Sequence, residues 1–409
     1  MKHIWIFLFC LLTFTSWAER SIKIIVNSGN YDRKDCIVSV DAAKLGFTGK
    51  SDFVLFEKEG YKQIPVKSQL IREKNGTTSL YWILNGNTPA GTSRQFSVLK
   101  TKPSINPDEM TVEDTHRALI LKNRGKNILQ YNYAVTYPPA GVDSAYKRSG
   151  YIHPAYSPTG NVLTTIQPKD HRHHYGIWNP WTHIVYDGTL YDLWNLGDKK
   201  GTVKAKNVEA IYEGRVCAGY DASLDHYIFT PQGEQLILHE LWKVKAWDVS
   251  GGFLWDFESD LMPATSLPVL LQQYRYAGFG WRATEEWTRN NSEMFTSEGK
   301  NRQEIDGTTA RWIYVTGQCT NGRSGFLILG CPENYNSPEP LRIWDENANG
   351  GRGDVFVNFA PTKNKDWELQ PNKKYKLRYR IFMYDGEMTK ELADRLWNDY
   401  AYPPQVIVK

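Results

Sequence analysis

A histidine-rich segment between residues 151 and 183 carries the side chains best suited to chemistry. Five of the nine histidines fall in this stretch: His153, His171, His173, His174 and His183. An imidazole gives or takes a proton near neutral pH, and its neutral form binds transition metals well. The segment therefore predicts either an acid/base site or a metal site.

The tightest group of histidines adjoins a carboxylate, Asp170, which would orient a catalytic imidazole. Alternate side chains of an extended chain share a face, so we expect His171 and His173 to point one way. Asp170 and His174 would then point the opposite way. In the acid/base hypothesis, His173 or His171 is the base. His153 or His174 is then the acid.

A metal site is the other possibility for this segment. It would use His171 and His173 as two ligands and would need a third from elsewhere, since no His-Glu-x-x-His helix is present. A divalent metal is therefore possible, and no cofactor is certain. The plainer interpretation is that some of these rings form hydrogen bonds to the loop backbone and stabilise a turn. We favour this interpretation for His183.

Two further groups extend the hypothesis to a sugar ligand. Arg282 would neutralise negative charge on the substrate, unless it simply forms a salt bridge to a neighbouring acid. Trp178 or Trp181 would stack on a sugar ring. Aromatic residues make up 13% of the chain and charged residues only 23%, a balance typical of glycan-binding clefts. Strands also favour aromatic residues for reasons unrelated to ligands.

The elements that must position these residues are β-strands, and the fold class predicted is all-β. Short alternating runs separated by turns predict an immunoglobulin-like sandwich over residues 21–105. A polar stretch with two prolines, residues 102–113, predicts a linker. The same alternation over residues 110–409 predicts a large β-sandwich domain. One amphipathic helix is predicted at residues 389–400, where two prolines follow it.

The beginning of the chain has the pattern of a signal peptide, which we assign to residues 1–18. Lys2 and His3 precede an apolar run over residues 4–14, and small residues follow it. The run is too short to span a bilayer, and no later window reaches the roughly 20 apolar residues that a membrane helix needs. We therefore expect an exported protein, periplasmic or on the cell surface, with no membrane span.

The cysteines that follow the proposed signal peptide are even in number: Cys36, Cys217, Cys319 and Cys331. Export permits disulfides, but none of these residues lies in a Cys-x-x-Cys motif. Cys319 and Cys331 are not expected to pair, since a hairpin turn near residue 321 would leave Cys331 too far along its strand. Buried thiols are the favoured interpretation.

The net charge of the chain does not indicate a polyanion such as a nucleic acid as a partner. Lysine and arginine number 49 against 45 acidic residues, which leaves a net charge of +4. The basic residues are dispersed among acids and form no stripe, so nucleic-acid binding is excluded.

Three blocks of sequence carry a resemblance to a known family. The first block contains Tyr151, His153, Pro154, Ser157, Pro158, Gly160, Asp170, His171, His173, His174, Gly176 and Trp178. The later blocks contain Tyr276, Gly278, Phe279, Arg282, Pro332, Asn334, Pro338, Arg342 and Trp344. Over residues 110–405 this pattern resembles the PmoA-like family of bacterial proteins. Ala277 and Cys331 depart from the family's usual pattern.

The resemblance implies a large β-sandwich similar to the galactose-mutarotase type and an association with sugar-processing proteins. It adds five residues as candidate substrate contacts: Tyr151, Tyr276, Asn334, Arg342 and Trp344. Arg342 and Asn334 have plainer interpretations as an ion-pair partner and a turn residue. A methane-oxidising role is excluded, because it implies an integral membrane subunit and the sequence predicts no spanning helix.

The function favoured by the sequence is an exported carbohydrate-active protein whose histidines perform acid/base chemistry on a glycan, as an epimerase, lyase or hydrolase does. A non-catalytic glycan-binding protein is the alternative, because the same residues could only hold a sugar. The two hypotheses differ in pH dependence, since only acid/base catalysis requires titrating groups in a rate profile. A purely structural envelope protein would have no small-molecule site at all.

Overall fold

The computed structural model of the protein describes residues 22–46, 53–74, 76–99 and 109–409. The proposed signal peptide and most of the proposed linker lie outside these residues. The described chain is mostly β-sheet with a short helix near the C-terminus, which confirms the all-β class predicted from sequence.

The N-terminal part is a sandwich of two antiparallel sheets. Its strands are β1 (Ile22–Asn27), β2 (Arg33–Asp41), β3 (Val54–Glu59), β4 (Lys62–Val66), β5 (Ser68–Arg72), β6 (Thr78–Thr88) and β7 (Ser93–Leu99). One sheet runs in the order β1-β7-β3-β4 and the other in the order β2-β6-β5. Apolar residues at every second position, such as Ile24 and Val26 of β1, point inward and form one buried core with Phe96 and Trp82.

The remainder of the chain is built mainly from strands. These are β8 (Met110–Asp114), β9 (Ala118–Asn123), β10 (Lys126–Asn132), β11 (Tyr151–Ala155), β12 (Ile177–Trp178), β13 (Ile184–Tyr186), β14 (Thr189–Tyr191), β15 (Gly201–Tyr212), β16 (Cys217–Thr230), β17 (Gly233–Trp247), β18 (Phe253–Pro263), β19 (Val269–Leu271), β20 (Gly280–Arg282), β21 (Ser292–Thr296), β22 (Trp312–Cys319), β23 (Gly322–Gly330), β24 (Leu341–Ile343), β25 (Phe356–Phe359), β26 (Trp367–Leu369), β27 (Tyr375–Asp385) and β28 (Gln405–Val408). The helices are α1 (Ala348–Gly351) and α2 (Lys390–Ala401), with 3-10 turns at Ala42–Leu45, Ser144–Tyr146 and Leu196–Asp198.

Two eight-stranded sheets dominate this larger part. The first has the order β24-β25-β20-β12-β11-β10-β9-β8, and the second has the order β15-β16-β17-β18-β27-β23-β22-β21. A smaller sheet, β14-β13-β19-β26, completes it. The inner faces of the two large sheets share one core, in which Trp281 of β20 stacks on Phe326 of β23 with ring centroids 3.9 Å apart. This is the large sandwich expected from the sequence.

The C-terminal segment ties the two sandwiches together. Helix α2 begins at Thr389, whose hydroxyl accepts from the backbone N–H of Leu392, and its apolar side chains pack on β22 and β23 of the second large sheet. After the helix, β28 pairs antiparallel with β1 and becomes the edge strand of the N-terminal sheet. The first sandwich therefore contains residues from both ends of the described chain.

The Ser-Pro-Thr-Gly turn of the first sequence block has a structural role in the described chain. The carboxylate of Asp385 accepts hydrogen bonds from Thr159, through its backbone N–H and its hydroxyl, and from the hydroxyl of Ser324. The four cysteines, Cys36, Cys217, Cys319 and Cys331, are all buried and none forms a disulfide. Both observations place these residues in the framework that supports the sandwich.

Candidate functional site

The candidate site lies on the outer face of the first large sheet. Because successive side chains on a strand point to opposite faces, Ile177 of β12 enters the core while Trp178 points outward. The outward side chains build a second aromatic cluster whose buried members are Tyr151, Tyr175, Trp178, Trp194, Leu196, Trp344 and Phe356. A Cβ on Gly280 would stand 3.1 Å from the indole of Trp194, so glycine leaves the space these rings need.

The three clustered histidines lie in a tight turn above this aromatic cluster. The N–H of His171 donates to the carbonyl of Pro168 at 3.1 Å, and the N–H of His174 donates to the carbonyl of His171 at 3.0 Å. The prediction that His171 and His173 would point away from His174 is therefore wrong. It assumed an extended chain, whereas these turn bonds bring the three rings to one side.

The three rings contact one another directly. The centroids of His171 and His174 are 4.8 Å apart in a stacked arrangement, and His173 meets His174 edge-on at 4.7 Å. The rings rest on Trp344, whose centroid lies 4.6 Å from that of His171. His174 is buried, while His171 and His173 are half-buried. The outer ring nitrogens of His171 and His173 are therefore the ones that a ligand can approach.

His153 lies apart from this cluster, on β11. Its Nδ1 is 2.9 Å from the hydroxyl of Thr164, and its ring makes no contact with the other three histidine rings among the described residues. A Cβ on Gly176 would come within 2.9 Å of the Cβ of His153, so the two strands pass here at close range. This geometry favours a structural role for His153 over the acid predicted from sequence.

His171 and Asp170 form the pair that the acid/base hypothesis requires. Nδ1 of His171 lies 2.6 Å from Oδ2 of Asp170. An ionised carboxylate can only accept, so Nδ1 carries the proton and the Nε2 of the neutral ring keeps its lone pair. This arrangement orients the imidazole and leaves Nε2 able to take or give a proton.

Arg282 stands behind that pair, on the outer face of β20. Its Nη2 donates to both oxygens of Asp170, at 3.3 and 3.1 Å, and lies 3.5 Å from the carboxylate of Asp354. The guanidinium lies 4.8 Å from the ring centre of Trp344. Asn349 donates a further hydrogen bond to Asp170 at 2.8 Å. The salt bridge predicted as the plainer role for Arg282 thus fixes the carboxylate that orients His171.

The charge state of Asp170 follows from these contacts. Burial raises the pKa of its carboxyl group, but the hydrogen bond from His171, the charge of Arg282 and the amide of Asn349 outweigh burial and hold that pKa at about 2. Burial lowers the pKa of Arg282, although Asp170 opposes the change, and an arginine remains a cation at neutral pH. Asp170 is therefore an anion throughout the physiological range.

A cleft of about 580 Å³ opens beside this pair. Its volume lies within the range of roughly 300–1,000 Å³ that is usual for small-molecule sites. Charged and amide side chains form much of the lining, among them Lys169, Asp170, Arg172, Glu285, Asn349 and Arg352. His171 adjoins the cleft through its hydrogen bond to Asp170. The cleft is suited to a small polar ligand rich in hydroxyl or charged groups.

Three residues of the later sequence blocks adjoin the cluster. The hydroxyl of Tyr276 accepts from Nη2 of Arg342 and from Nε1 of Trp344, each at 3.1 Å. Arg342 also forms an ion pair with Asp306 at 3.0 Å. The three residues therefore lie together, and Tyr276 holds Trp344 beneath the histidines.

The remaining candidate substrate contacts lie in the interior. Trp178 packs against His174 with centroids 5.1 Å apart, and Tyr151 packs against Tyr175. Trp181 belongs to the core between the large sheets. Each of these rings is at most 2% exposed, so none presents a free face to a sugar in this structure. These rings have a supporting role instead. Successive side chains of a strand point to opposite faces of the sheet, and on each face these rings pack against other side chains.

Asn334 lies away from the histidines. Its amide donates to Glu339 at 2.6 Å and to the backbone carbonyl of Arg378, and its carbonyl accepts from the N–H of Arg378. These bonds hold a turn against β27, which matches the plainer interpretation of this residue. None of its partners contacts the histidine turn.

Two site residues were missed in the sequence. Asn349 and Asp354 belong to the segment Asn-Gly-Gly-Arg-Gly-Asp, which follows β24 and includes α1. Asn349 has a left-handed backbone with φ of 52°, so the chain turns sharply there and presents its amide to Asp170. The glycine-rich run directly after a strand is the signal that could have identified them.

The described part of the chain contains no complete set of metal ligands of these residue types: histidine, cysteine, aspartate and glutamate. Over residues 22–46, 53–74, 76–99 and 109–409, no group of three or more histidine, cysteine, aspartate and glutamate side chains is placed to hold a metal ion. His171 and His173, the pair proposed as ligands, do not form such a group with any third side chain of these types in that part of the structure.

Burial sets the charge of three further candidate histidines: His153, His173 and His174. It lowers the pKa of His153 to about 4 and that of His173 to about 3, where the neighbouring His171 adds to the effect. Burial also lowers the pKa of His174 well below its ordinary value. These three rings are therefore neutral at pH 7 in the folded protein.

We expect the free energy of unfolding to fall as the pH drops from about 6.5 towards 4. The folded-state pKa values lie below the unfolded value of about 6.5, so the unfolded chain binds protons first and gains stability relative to the native state. Each histidine contributes at most about 1.4 kcal/mol per pH unit. Urea unfolding at pH 7.0, 6.0 and 5.0 measures this slope, and His153→Gln should flatten it. An unchanged slope in that variant would contradict the explanation.

Fold and site together define a class: an all-β protein of two sandwiches with a cleft lined by basic and acidic side chains, and adjoined by His171, on the outer face of the larger one. The chain belongs to DUF6807, a family of unknown function, whose model matches residues 118–398. The resemblance to the PmoA-like family drawn from the sequence is wrong, because the family that matches over this range is DUF6807.

No curated protein matches the chain. Among solved structures, an alpha-mannosidase from Enterococcus faecalis V583 aligns with 95% of this chain at 8% identity and a TM-score of 0.47. A protein in the Glycosyl Hydrolase Family 38 from Enterococcus faecalis aligns with 96% of it at 7% identity and a TM-score of 0.45. This chain spans 46% and 48% of those two chains, about half their length. No helix among its described residues is long and apolar enough to cross a membrane.

Proposed function

We propose that the protein is a carbohydrate-processing enzyme whose sugar lies in the cleft beside His171 and Asp170. The observation that carries the proposal is the 2.6 Å contact between Nδ1 of His171 and Asp170 at the edge of a polar cleft. An imidazole oriented by an ionised carboxylate is a common acid/base arrangement. The dense polar lining supplies donors and acceptors for sugar hydroxyl groups.

The assignment of roles follows from exposure. His171 is half-buried, with 31% of its side chain exposed, and transfers the proton through Nε2. His173, neutral and half-buried, offers its ring nitrogens to a hydroxyl group of the sugar. Arg282 positions Asp170 from behind and does not touch the ligand. The reaction is of the epimerase, lyase or hydrolase type, in which a proton moves at a sugar carbon or at a glycosidic oxygen.

A glycan microarray tests whether the cleft holds a sugar. The wild-type protein should bind at least one glycan, and Asp170→Ala should abolish that binding because His171 and Arg282 lose their shared partner. Glu391→Ala is the matched control, since Glu391 is an exposed acid on α2 far along the chain from the cleft. Equal binding by the wild type and Asp170→Ala would refute the cleft as the sugar site.

A non-catalytic glycan-binding protein is the second candidate. The observation that favours it is the burial that keeps the half-buried ring of His173 neutral, since a neutral ring can hold a sugar without transferring protons. Such a protein should bind its glycan with constant affinity between pH 6 and 8 and leave the glycan chemically unchanged. The enzyme should instead convert the glycan with a pH-dependent rate.

We also propose that the protein is exported to the periplasm or the cell surface. The support is the charged and apolar pattern of residues 1–18, which lie outside the described part of the structure. Mass spectrometry of the protein from cell fractions tests the proposal. A mature N-terminus near residue 19 in the envelope fraction is expected, and an intact N-terminus in the cytoplasm would contradict it.

A further inference from the structure

Four cations adjoin the cleft against three acids, because Arg282 behind the wall adds to the three cations and three acids of the lining. Asp170 is engaged by His171 and Arg282, and Asp354 is engaged by Arg282 and Arg352. Lys169 and Arg172, which also line the cleft, form no ion pair with any residue in the described ranges. Two cations therefore face the cleft without an acidic partner there, against one unpaired acid, Glu285.

Arg172 is held in a position to receive a ligand. Its Nη1 donates to the backbone carbonyl of Gln167 at 2.7 Å, which anchors one end of the half-buried guanidinium. Within the described chain it makes no other side-chain hydrogen bond, so Nη2 and Nε remain available. A guanidinium fixed at one nitrogen with two free donors matches the two oxygens of a carboxylate.

Arg282 provides an independent observation at the wall of the same cleft. Its side chain is 1% exposed, yet its Nη1 has no hydrogen-bond partner within the described residues. Both carboxylates that it contacts, Asp170 and Asp354, line the cleft, so its guanidinium lies directly behind the wall. Asp170 and Asp354 already balance the charge of Arg282, and its unpaired Nη1 is a buried N–H donor in this wall that lacks an acceptor among the described residues.

We propose that the ligand of this cleft is an acidic sugar, a uronic acid residue whose carboxylate binds Arg172. The inference rests on the proposed function and narrows its substrate class. The carboxylate forms a bidentate hydrogen-bonded pair with Nη2 and Nε of Arg172, and the ammonium group of Lys169 adds attraction. The sugar ring then lies between this anchor and the pair formed by His171 and Asp170.

Isothermal titration calorimetry with matched saccharides tests the proposal. The probes are tetramers of galacturonic, glucuronic and mannuronic acid, each beside the tetramer of galactose, glucose or mannose with the same linkage. At least one uronate should bind on the order of 10-fold or more tightly than its neutral counterpart, the loss expected when a charge-assisted pair is missing. Arg172→Gln should remove this preference.

Two variants sharpen the result. Arg172→Lys keeps the charge but loses the paired N–H donors of the guanidinium, so it should retain only part of the preference for the uronate. Arg215→Gln is the matched control, since Arg215 is another half-buried arginine without an ion pair in the described chain, but lines a separate cleft beside the N-terminal sandwich. It should bind as the wild type does.

The possible failures are distinct. If neutral tetramers bind as tightly as the uronates, the acidic-sugar assignment is overturned while the proposed function stands. The assignment is also overturned if Arg172→Gln keeps the full preference. If no saccharide, acidic or neutral, binds in any titration, both this assignment and the proposed function are overturned.

Discussion

Replacing Arg33 with alanine is expected to lower the free energy of unfolding by about 3–5 kcal/mol, the usual cost of removing one partner of a buried ion pair. Arg33 lies on β2 and pairs with Asp399 of α2 at 3.0 Å, with the two side chains only 1% and 5% exposed. The same guanidinium donates to the backbone carbonyls of Ser28 and Asn398. Its removal leaves the buried Asp399 with only Arg395 as an ion-pair partner and removes one of the contacts between the N-terminal sandwich and α2.

The neighbouring Arg395 is a matched control on the same acid. It also contacts Asp399 at 3.0 Å, but 24% of its side chain is exposed and the pair is an i,i+4 pair on one helix. Arg395→Ala should therefore cost only about 0.3–0.5 kcal/mol. Urea unfolding of both variants beside the wild type measures the difference. Equal losses of unfolding free energy in the two variants would show that burial of the pair between Arg33 and Asp399 does not control the attachment of α2 to the N-terminal sandwich.

The second large effect concerns catalysis. If the proposed function holds, His171→Ala should lower glycan turnover by about 10²- to 10⁴-fold, the usual contribution of one acid/base group. His183→Ala is the matched control, because His183 comes from the same segment but stacks on Tyr274, with ring centroids 3.7 Å apart, and does not contact the cluster. It should keep wild-type turnover.

A positioning role for Asp170 has its own readout. Asp170→Asn keeps the shape of the side chain but removes the charge that orients the imidazole of His171. Turnover should therefore fall, and the pH dependence of turnover should also shift. A uniform loss at every pH would instead indicate simple damage to the loop. Retention of full turnover in His171→Ala would remove this histidine from the mechanism.

Much of the fold was accessible from the sequence, because alternation and turns are local signals. The alternation predicted over residues 110–409 includes the strand β27, and the pattern predicted as a helix at residues 389–400 became α2. The pairing of β28 with β1 could not be read in this way. It joins residues almost 400 positions apart, and four residues of strand carry no signal about their partner.

The site was only partly predictable. His171, Asp170, Arg282 and Trp344 were named from the sequence and do lie together, since they occur in dense blocks of polar and aromatic residues. Composition does not show whether a ring is exposed, which is why Trp178 and Trp181 were expected to stack on sugar although both are buried. The orientation of the histidines depended on turn bonds that no residue pattern specified.

The central claim is that a sugar is processed beside His171 and Asp170. The most direct test incubates the protein and its His171→Ala variant with a library of acidic and neutral oligosaccharides and follows the products by mass spectrometry and NMR, since epimers have equal mass. The account predicts that the wild type alters at least one member of the library and that the variant leaves it at the level of the blank. Conversion of no oligosaccharide, or equal conversion by both proteins, would contradict it.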